Sequence, residues 1–283
     1  MLRVTILADF DRLKIVLVNP RNPLNIGAAA RAMSNFGFFR LRVVNPYEAG
    51  YREARSAVGA SEVLTNAQEF SSVGEAIADC TLVIGTTAVG ERELHHRVKT
   101  LPAAGRVIRK RLTGGEHVAL LFGSERVGLS NEDLSHCHWL LRIPTRIEHR
   151  SLNLGQAVAI CIYELARSAA GPAGASGETR SPANPFRTLE HGDAPSAPDR
   201  LAREARLRKE KRPASAGDME RITTTLLEAL YACGYLHAKS GKVPREKVRR
   251  LLRRHKLSAN DADLWLSMLG QILWKLKKCR TLE

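Results

Sequence analysis

The sequence predicts an α/β protein with a mostly parallel sheet, helices on both faces of that sheet, and a small all-helical C-terminal extension. Over residues 1–170, short continuous apolar runs alternate with helical stretches, which is typical of parallel strands buried on both faces. Residues 171–217 are rich in Gly, Pro, Ser and charge, which predicts a flexible basic linker. Residues 218–283 return to helical apolar spacing, so we predict a second, helical domain there.

The predicted strands end at loops of small and polar residues. The strands cover residues 13–18, 41–44, 81–85 and 119–122, followed by an apolar run that stops at Pro144. Because the carboxyl ends of parallel strands meet at one edge of a sheet, the loops after them are expected to form a ligand site. No G-x-G-x-x-G follows the first strand, so a dinucleotide-binding fold has little support.

Helical spacing accounts for most of the segments between these strands. Residues 26–36 follow the first strand with small and apolar residues, and Asn25 is predicted to cap this helix. Residues 90–100 are polar and basic, which predicts an exposed loop or lid, and residues 106–112 predict the next helix. The helix after Asn153 is apolar on more than one face, so we expect it in the core or at a subunit contact.

Arg31 stands alone among small and apolar residues of the first predicted helix. An arginine on such a face is costly to bury without a partner. We therefore expect a carboxylate or a phosphate to lie against its guanidinium group.

The formal net charge of +15 points to a polyanionic partner. Residues 218–283 contain 14 Lys and Arg against 7 Asp and Glu, so the helical extension is the most basic part for its length. Such a surface binds a phosphate backbone through counterion release, which favours nucleic acid. A basic surface that serves only solubility remains the alternative.

The cysteines and the apolar runs argue against a disulfide-bonded, metal-binding, secreted or membrane protein. Five cysteines without any C-x-x-C spacing indicate reduced thiols and a cytoplasmic protein. Cys137 lies between His136 and His138, but adjacent residues rarely point at one ion, so we expect no metal site. We recognise no signal peptide and no apolar run of membrane-spanning length, so no membrane association is expected.

The helix that starts near Arg245 is predicted to carry an RNA-binding face. Its apolar residues Val248, Leu251 and Leu252 are expected to face inward. Five arginines in ten residues, without matching acids, are expected to face outward toward RNA: Arg245, Arg249, Arg250, Arg253 and Arg254. A merely solvated helix face is the alternative. Further on, Ser258 and Asp261 have the spacing of a capping box for the last helix.

Three of the loops resemble the sequence motifs of the SpoU/TrmH branch of the SPOUT RNA methyltransferases. They read NPLNIGAAARAM from Asn22, LLFGSERVGLSNEDL from Leu120 and SLNLGQAVAI from Ser151, and the resemblance covers residues 13–168. The C-terminal part is similar to the helical extension of the bacterial TrmJ group, whose members methylate the 2'-oxygen of cytidine or uridine 32 in the tRNA anticodon loop. The resemblance implies a C-terminal trefoil knot in the catalytic domain, a homodimer with a shared active site, and S-adenosyl-L-methionine as the methyl donor.

The resemblance also assigns roles to residues of this chain. It implies a donor site made by Thr86, Thr87, Ala88, Gly123, Ile143, Arg150, Ser151 and Leu152. The catalytic residues that it implies are Arg31, Asn25, Glu125, Ser151 and Asn153. We expect Arg31 to stay cationic, to position the 3'-phosphate and to stabilise the developing alkoxide, while phosphate or water takes the proton.

Two classes of function follow from these observations. The first is a 2'-O-ribose methyltransferase acting on tRNA, with 23S ribosomal RNA as the alternative substrate. The second is a non-catalytic RNA-binding factor that has the same fold. All polar motif positions are occupied by residues competent for the chemistry, which favours the enzyme.

Overall fold

A single parallel sheet organises the N-terminal part of the chain, up to residue 167. The computed structural model describes residues 10–47, 49–88, 96–146, 148–167, 212–237 and 243–280. Over these residues, seven strands pair in parallel in the order β3-β2-β1-β6-β4-β7-β5. The strands are β1 Leu13–Val18, β2 Leu41–Val44, β3 Gln68–Phe70, β4 Leu82–Thr86, β5 Val98–Thr100, β6 Val118–Phe122 and β7 Trp139–Arg142. The predicted α/β class with a mostly parallel sheet is confirmed.

Helices cover both faces of this sheet, as predicted. In the N-terminal part they are α1 Pro23–Asn35, α2 Ser61–Thr65, α3 Val73–Ala76, α4 Leu101–Thr113, α5 Asn131–Ser135 and α6 Leu154–Arg167, with a 3-10 turn at Ala49–Glu53. The C-terminal helices are α7 Ala216–Ala232, α8 Val243–Arg254 and α9 Ala259–Arg280. One core lies under α1, α4 and α6 and contains Met33, Ile108 and Val158. A second core on the opposite face contains Leu134 of α5 and Ala216 of α7.

Three local predictions need correction. Asn22, not Asn25, caps α1, because its side chain accepts a hydrogen bond from Leu24 N at 2.9 Å and Pro23 starts the helix. Residues 98–100 of the predicted lid form β5, which satisfies backbone groups at the edge of β7, while residues 89–95 lie outside the described residues. The helix predicted at residues 106–112 begins earlier, at Leu101.

The C-terminal helices form a compact unit around a small core of their own. Met219, Ile222, Leu252 and Leu269 are buried between α7, α8 and α9. The predicted capping box is confirmed, since Ser258 Oγ accepts from Asp261 N at 3.1 Å and Asp261 accepts from Ser258 N at 3.0 Å. No helix within the described ranges is long and apolar enough to cross a membrane. Residues 171–211 of the predicted linker lie outside the described residues, whereas α7 already begins at Ala216 with Ser215 as its cap. The domain limit at residue 170 and the trefoil knot stay predictions.

The predicted outward-facing arginine face is wrong at two positions. Arg249 and Arg253 are only 3% and 5% exposed, whereas Leu251, which we expected inside, is 52% exposed. The reason is that α8 packs against α5 and α7, which present polar acceptors to the two arginines. Arg254 is exposed and Arg250 is half-buried.

Candidate active site

A cleft of about 380 Å³ opens at the carboxyl ends of β4, β6 and β7. All eight residues predicted for the donor site line it: Thr86, Thr87, Ala88, Gly123, Ile143, Arg150, Ser151 and Leu152. Sequence reasoning had not assigned several further lining residues, among them Phe122, Val127, Leu129 and Leu134. All four lie inside the second quoted motif, so the motif itself was the available signal.

The loop after β6 makes one wall of the cleft. Gly128 N donates to Ser124 O at 2.9 Å, which closes the loop back on itself. A Cβ on Gly123 would overlap backbone atoms of Gly128 and Leu129, and it would lie 2.5 Å from Gly128 O. Gly128 has a φ of 69°, a left-handed conformation that favours glycine. The two glycines therefore fix the path of this loop.

Hydrogen bonds from the end of β4 hold the floor of the cleft together. Thr86 Oγ1 donates to Leu121 O of β6 at 2.9 Å. Thr87 N donates to Leu141 O of β7 at 3.0 Å. Three neighbouring strands are thus tied at the point where the loops leave the sheet, so the lining residues keep a fixed spacing.

Glu125 connects this wall to the loop after β1. Its carboxylate accepts hydrogen bonds from Asn25 Nδ2 at 2.7 Å, Arg21 N at 3.0 Å and Asn22 N at 3.3 Å. Partial burial acts to raise the pKa of Glu125, but these hydrogen bonds outweigh it, so the pKa lies below its usual value. Glu125 is therefore an ionised acceptor at neutral pH.

Asn25 carries the connection on to the third loop. Its Oδ1 accepts a hydrogen bond from Asn153 Nδ2 at 2.8 Å. Asn153 Oδ1 in turn accepts from Gly155 N at 2.9 Å, which fixes the start of α6. Gly155 lets α6 approach α1 closely, because a Cβ there would lie 2.7 Å from Ala28 Cβ. The structure therefore brings Asn25, Glu125 and Asn153, from three distant motifs, into one hydrogen-bonded cluster.

The remaining predicted site residues lie in two different places. Ser151 and Arg150 are exposed and line the cleft beside this cluster. Arg31 is exposed on α1 and is not part of the cleft lining. Within the described part of the chain no carboxylate pairs with Arg31, so these residues do not supply the carboxylate partner that we expected, and the phosphate partner stays a prediction. The cause is its exposure, since water solvates the guanidinium and removes the cost that a buried position would carry.

The cleft combines apolar walls with backbone polar groups. Phe122, Leu129 and Ile143 supply apolar surface, and the loops after β4 and β6 supply peptide N–H and C=O groups. Such a lining suits a nucleoside-sized ligand with one polar edge and one apolar face. Glu125 itself lines the cleft, so the hydrogen-bonded cluster that it forms with Asn25 and Asn153 adjoins it.

The histidines and cysteine that invited a metal interpretation are explained by packing. Burial, together with the nearby Arg249 guanidinium, lowers the pKa of His136 to about 3. His138 Nδ1 accepts a hydrogen bond from Val83 N at 3.0 Å, and Cys137 is buried in the second core. The side chains of His136, Cys137 and His138 are thus held by three different sets of packing and hydrogen-bond contacts.

Comparison with known proteins identifies relatives over most of the chain. The tRNA (cytidine/uridine-2'-O-)-methyltransferase TrmJ of Klebsiella pneumoniae is 33% identical over 269 residues, which cover 93% of this chain and 96% of that protein. The Pectobacterium atrosepticum TrmJ is 32% identical over 93% of this chain and 97% of that protein. An uncharacterized tRNA/rRNA methyltransferase of Haemophilus influenzae is 38% identical over 155 residues, 55% of this chain and 63% of its own length.

A solved structure and a family match agree with these relatives. The crystal structure of TrmJ from Z. mobilis superposes with a TM-score of 0.71 and 28% identity, covering 92% of this chain and 98% of that one. Residues 12–163, which include all three motif loops, match the SpoU rRNA Methylase family. The resemblance found in the motifs is therefore confirmed, and the chain belongs to the SpoU rRNA Methylase family.

Proposed function

We propose that this protein is an S-adenosyl-L-methionine-dependent RNA 2'-O-ribose methyltransferase that acts on tRNA, at cytidine or uridine 32 of the anticodon loop. One observation carries the proposal: three loops from distant parts of the chain are hydrogen-bonded into a cluster beside a cleft lined by every predicted donor residue. The full-length relatives named as tRNA cytidine/uridine 2'-O-methyltransferases support tRNA as the substrate.

Two structural features support the cleft as the site of the methyl donor. Gly123 packs so closely on the backbone of Gly128 and Leu129 that the loop after β6 has a fixed path, which keeps this wall of the cleft in place for a ligand. Apolar residues such as Leu129 and Ile143 line the cleft together with polar residues such as Thr86 and Ser151, a combination that suits a nucleoside with a polar edge. When bound, S-adenosyl-L-methionine supplies an electrophilic methyl group on sulfur. The protein residues hold this donor at Thr86, Thr87 and Ala88 and at the loops after β6 and β7.

The Glu125 cluster positions the acceptor ribose in this mechanism. In-line displacement requires the 2'-oxygen to lie behind the methyl group, so orientation is the largest contribution that side chains can make. The ionised carboxylate of Glu125 fixes Asn25, which fixes Asn153, while Glu125 and Asn153 keep an exposed edge. With Ser151 beside them, these groups provide hydrogen-bond partners for the ribose hydroxyls.

Arg31 is proposed to act in the cleft of a second copy of the chain. In its own chain Arg31 is exposed and lies outside the cleft lining. A residue that reaches into the cleft of a partner has to be accessible in this way. The surface of α1 and α6 also exposes Leu24, Ile160 and Tyr163, which a homodimer contact would cover. Arg31 then stays cationic, contacts the 3'-phosphate and stabilises the developing alkoxide, while phosphate or water accepts the proton.

The basic C-terminal unit is proposed to add RNA affinity through the arginines that remain accessible. Arg254 is exposed, Arg250 is half-buried, and Arg245 keeps 44% of its side chain exposed beside Glu220. These residues replace the full set of five predicted from the sequence. Their contribution is sequence-independent phosphate binding, so it should weaken as salt concentration rises.

The test is to incubate the full-length protein with labelled donor and either total tRNA or ribosomal RNA, and to map the modified nucleotide. Label at position 32 of tRNA supports the proposal. Label in 23S ribosomal RNA alone would overturn the tRNA assignment while leaving the reaction type intact. Calorimetry with S-adenosyl-L-methionine separates the remaining alternative, because a non-catalytic RNA-binding factor has no need of the donor.

A further inference from the structure

We propose that the C-terminal helical unit positions the donor-binding loop through Arg249, which acts on Ser135 at the end of α5. Arg249 is thus a positioning residue and not part of an RNA-binding face. The inference rests on the proposed function, because it assumes that the cleft holds the methyl donor. Three steps carry it: the contact, its route to the cleft, and its charge balance.

The contact is a hydrogen bond between two buried side chains. Arg249 Nη1 donates to Ser135 Oγ at 2.7 Å, and these residues are 3% and 0% exposed. The Nε–Nη2 edge of the guanidinium forms a forked pair with Glu220 of α7, with Nε to Oε2 at 2.7 Å and Nη2 to Oε1 at 2.7 Å. One side chain of α8 therefore joins α7 to α5 in a fixed geometry.

The route from α5 to the cleft is short and stiff. Leu134, the residue before Ser135, lines the cleft, as does Leu129 just before the helix cap. Ser130 and Asp133 form a capping box that holds the first turn of α5, with Ser130 Oγ accepting from Asp133 N at 3.1 Å. A shift of α5 away from α8 therefore moves the apolar wall of the cleft.

The charge balance makes the contact selective for arginine. Burial acts to raise the pKa of Glu220, but the hydrogen bond and charge of Arg249 outweigh it, so the pKa lies below its usual value. Glu220 is therefore ionised; Arg245 donates to it from the exposed side at 3.2 Å, and Arg249 is the buried cation that compensates its charge inside the interface. The Ser135 hydroxyl donates to Glu132 O at 2.6 Å, which leaves its oxygen free to accept from Arg249. A lysine in place of Arg249 would keep the charge but lose the fork that reaches both partners.

The experiment measures donor binding in Ser135→Ala, Arg249→Met and Arg249→Lys variants of the full chain. Arg221→Met is the matched control, because Arg221 is an exposed arginine next to Glu220 on α7. We expect Arg249→Met to weaken S-adenosyl-L-methionine binding about tenfold, or ~1.4 kcal/mol, and Arg249→Lys to restore only part of it. The donor KM should rise while kcat at saturating donor stays within about twofold of wild type.

Ser135→Ala keeps the proposal testable if removal of the buried arginine prevents folding, because it leaves the Arg249–Glu220 pair in place. We expect Ser135→Ala to weaken donor binding, as Arg249→Met does. If Arg249→Met folds, the double variant Ser135→Ala/Arg249→Met should bind the donor no more weakly than Arg249→Met alone. Coupling is reciprocal, so donor should slow hydrogen exchange of α8 in the wild type but not in Ser135→Ala. A purely structural role would lower Tm without changing the donor KM.

The outcomes separate this inference from the proposed function. If Ser135→Ala binds the donor as tightly as the wild type, and the donor slows hydrogen exchange of α8 equally in both, the inference is overturned but the proposed function is not. A wild-type protein that binds no S-adenosyl-L-methionine would overturn the proposed function itself, whatever the variants do.

Discussion

Replacing Gly123 by alanine tests the most constrained point of the cleft. The added Cβ would lie 2.5 Å from Gly128 O and closer still to two other backbone atoms of Gly128 and Leu129. Ordinary contacts need about 3.5 Å or more, so the closest backbone atoms of the loop must move by roughly 1.5 Å. Backbone cannot rotate aside as a side chain can. Overpacking of this kind costs about 1–3 kcal/mol of unfolding free energy. The displaced wall should weaken donor binding by tenfold or more.

Urea denaturation and calorimetry with S-adenosyl-L-methionine measure the two effects separately. Gly270→Ala is the control, since Gly270 lies in α9 and, apart from the adjoining residues and the backbone of its own helix, no atom of the described residues lies within 4 Å of the position that an added methyl group would occupy. It should gain about 0.5–1 kcal/mol, because alanine loses less backbone entropy than glycine in a helix. If Gly123→Ala has the same unfolding free energy and the same donor affinity as the Gly270→Ala control, the loop is not tightly packed at Gly123.

Three further predictions follow from the site. Glu125→Gln should lower kcat by roughly 10–100-fold with donor affinity nearly unchanged, because a charge-assisted set of hydrogen bonds around Asn25 is lost; equal turnover would remove Glu125 from the acceptor site. Arg31→Lys should lower turnover by about tenfold or more, and near-complete retention would argue against a forked guanidinium contact. His136 titrates lower in the folded than in the unfolded chain, so unfolding free energy should fall by up to ~1.4 kcal/mol per pH unit as pH drops from about 6.5 toward 3. In His136→Asn, denaturation curves at pH 7.5 and 5 should show a smaller acid-side loss, and an unchanged loss would mean that His136 is not the group responsible.

The parts of the fold that the sequence predicts well are those that depend on burial alone. Apolar runs such as Leu13–Val18 are fully buried in the sheet, so their composition reports their position directly. The three ligand loops were predictable because strand ends collect at one edge. The contacts within them also required the register of β1 against β6, which composition does not contain.

The errors arose where a tertiary contact decides between equal local patterns. Asn22 and Asn25 are both acceptable caps, and the position of Pro23 decides for Asn22. Val98–Thr100 becomes a strand only because β7 presents an edge to it. Arg249 reads as a surface residue by type, and only the acceptors on α5 and α7 allow it to be buried. Side-chain type therefore predicts exposure poorly when the matching partners come from other helices that are distant along the chain.

The link between Asn25, Glu125 and Asn153 also affects when activity can arise during biosynthesis. The bonded pairs are separated by 100 and 128 positions along the polypeptide. Contacts of such long range form after the costly closure of the intervening chain. A nascent chain that ends before the third loop can already contain β1 and β6, yet it lacks Asn153 and so cannot complete the hydrogen-bonded cluster. Under the proposed function, the acceptor site is therefore complete only after the third loop, near the end of the residues that match the family, has been synthesised.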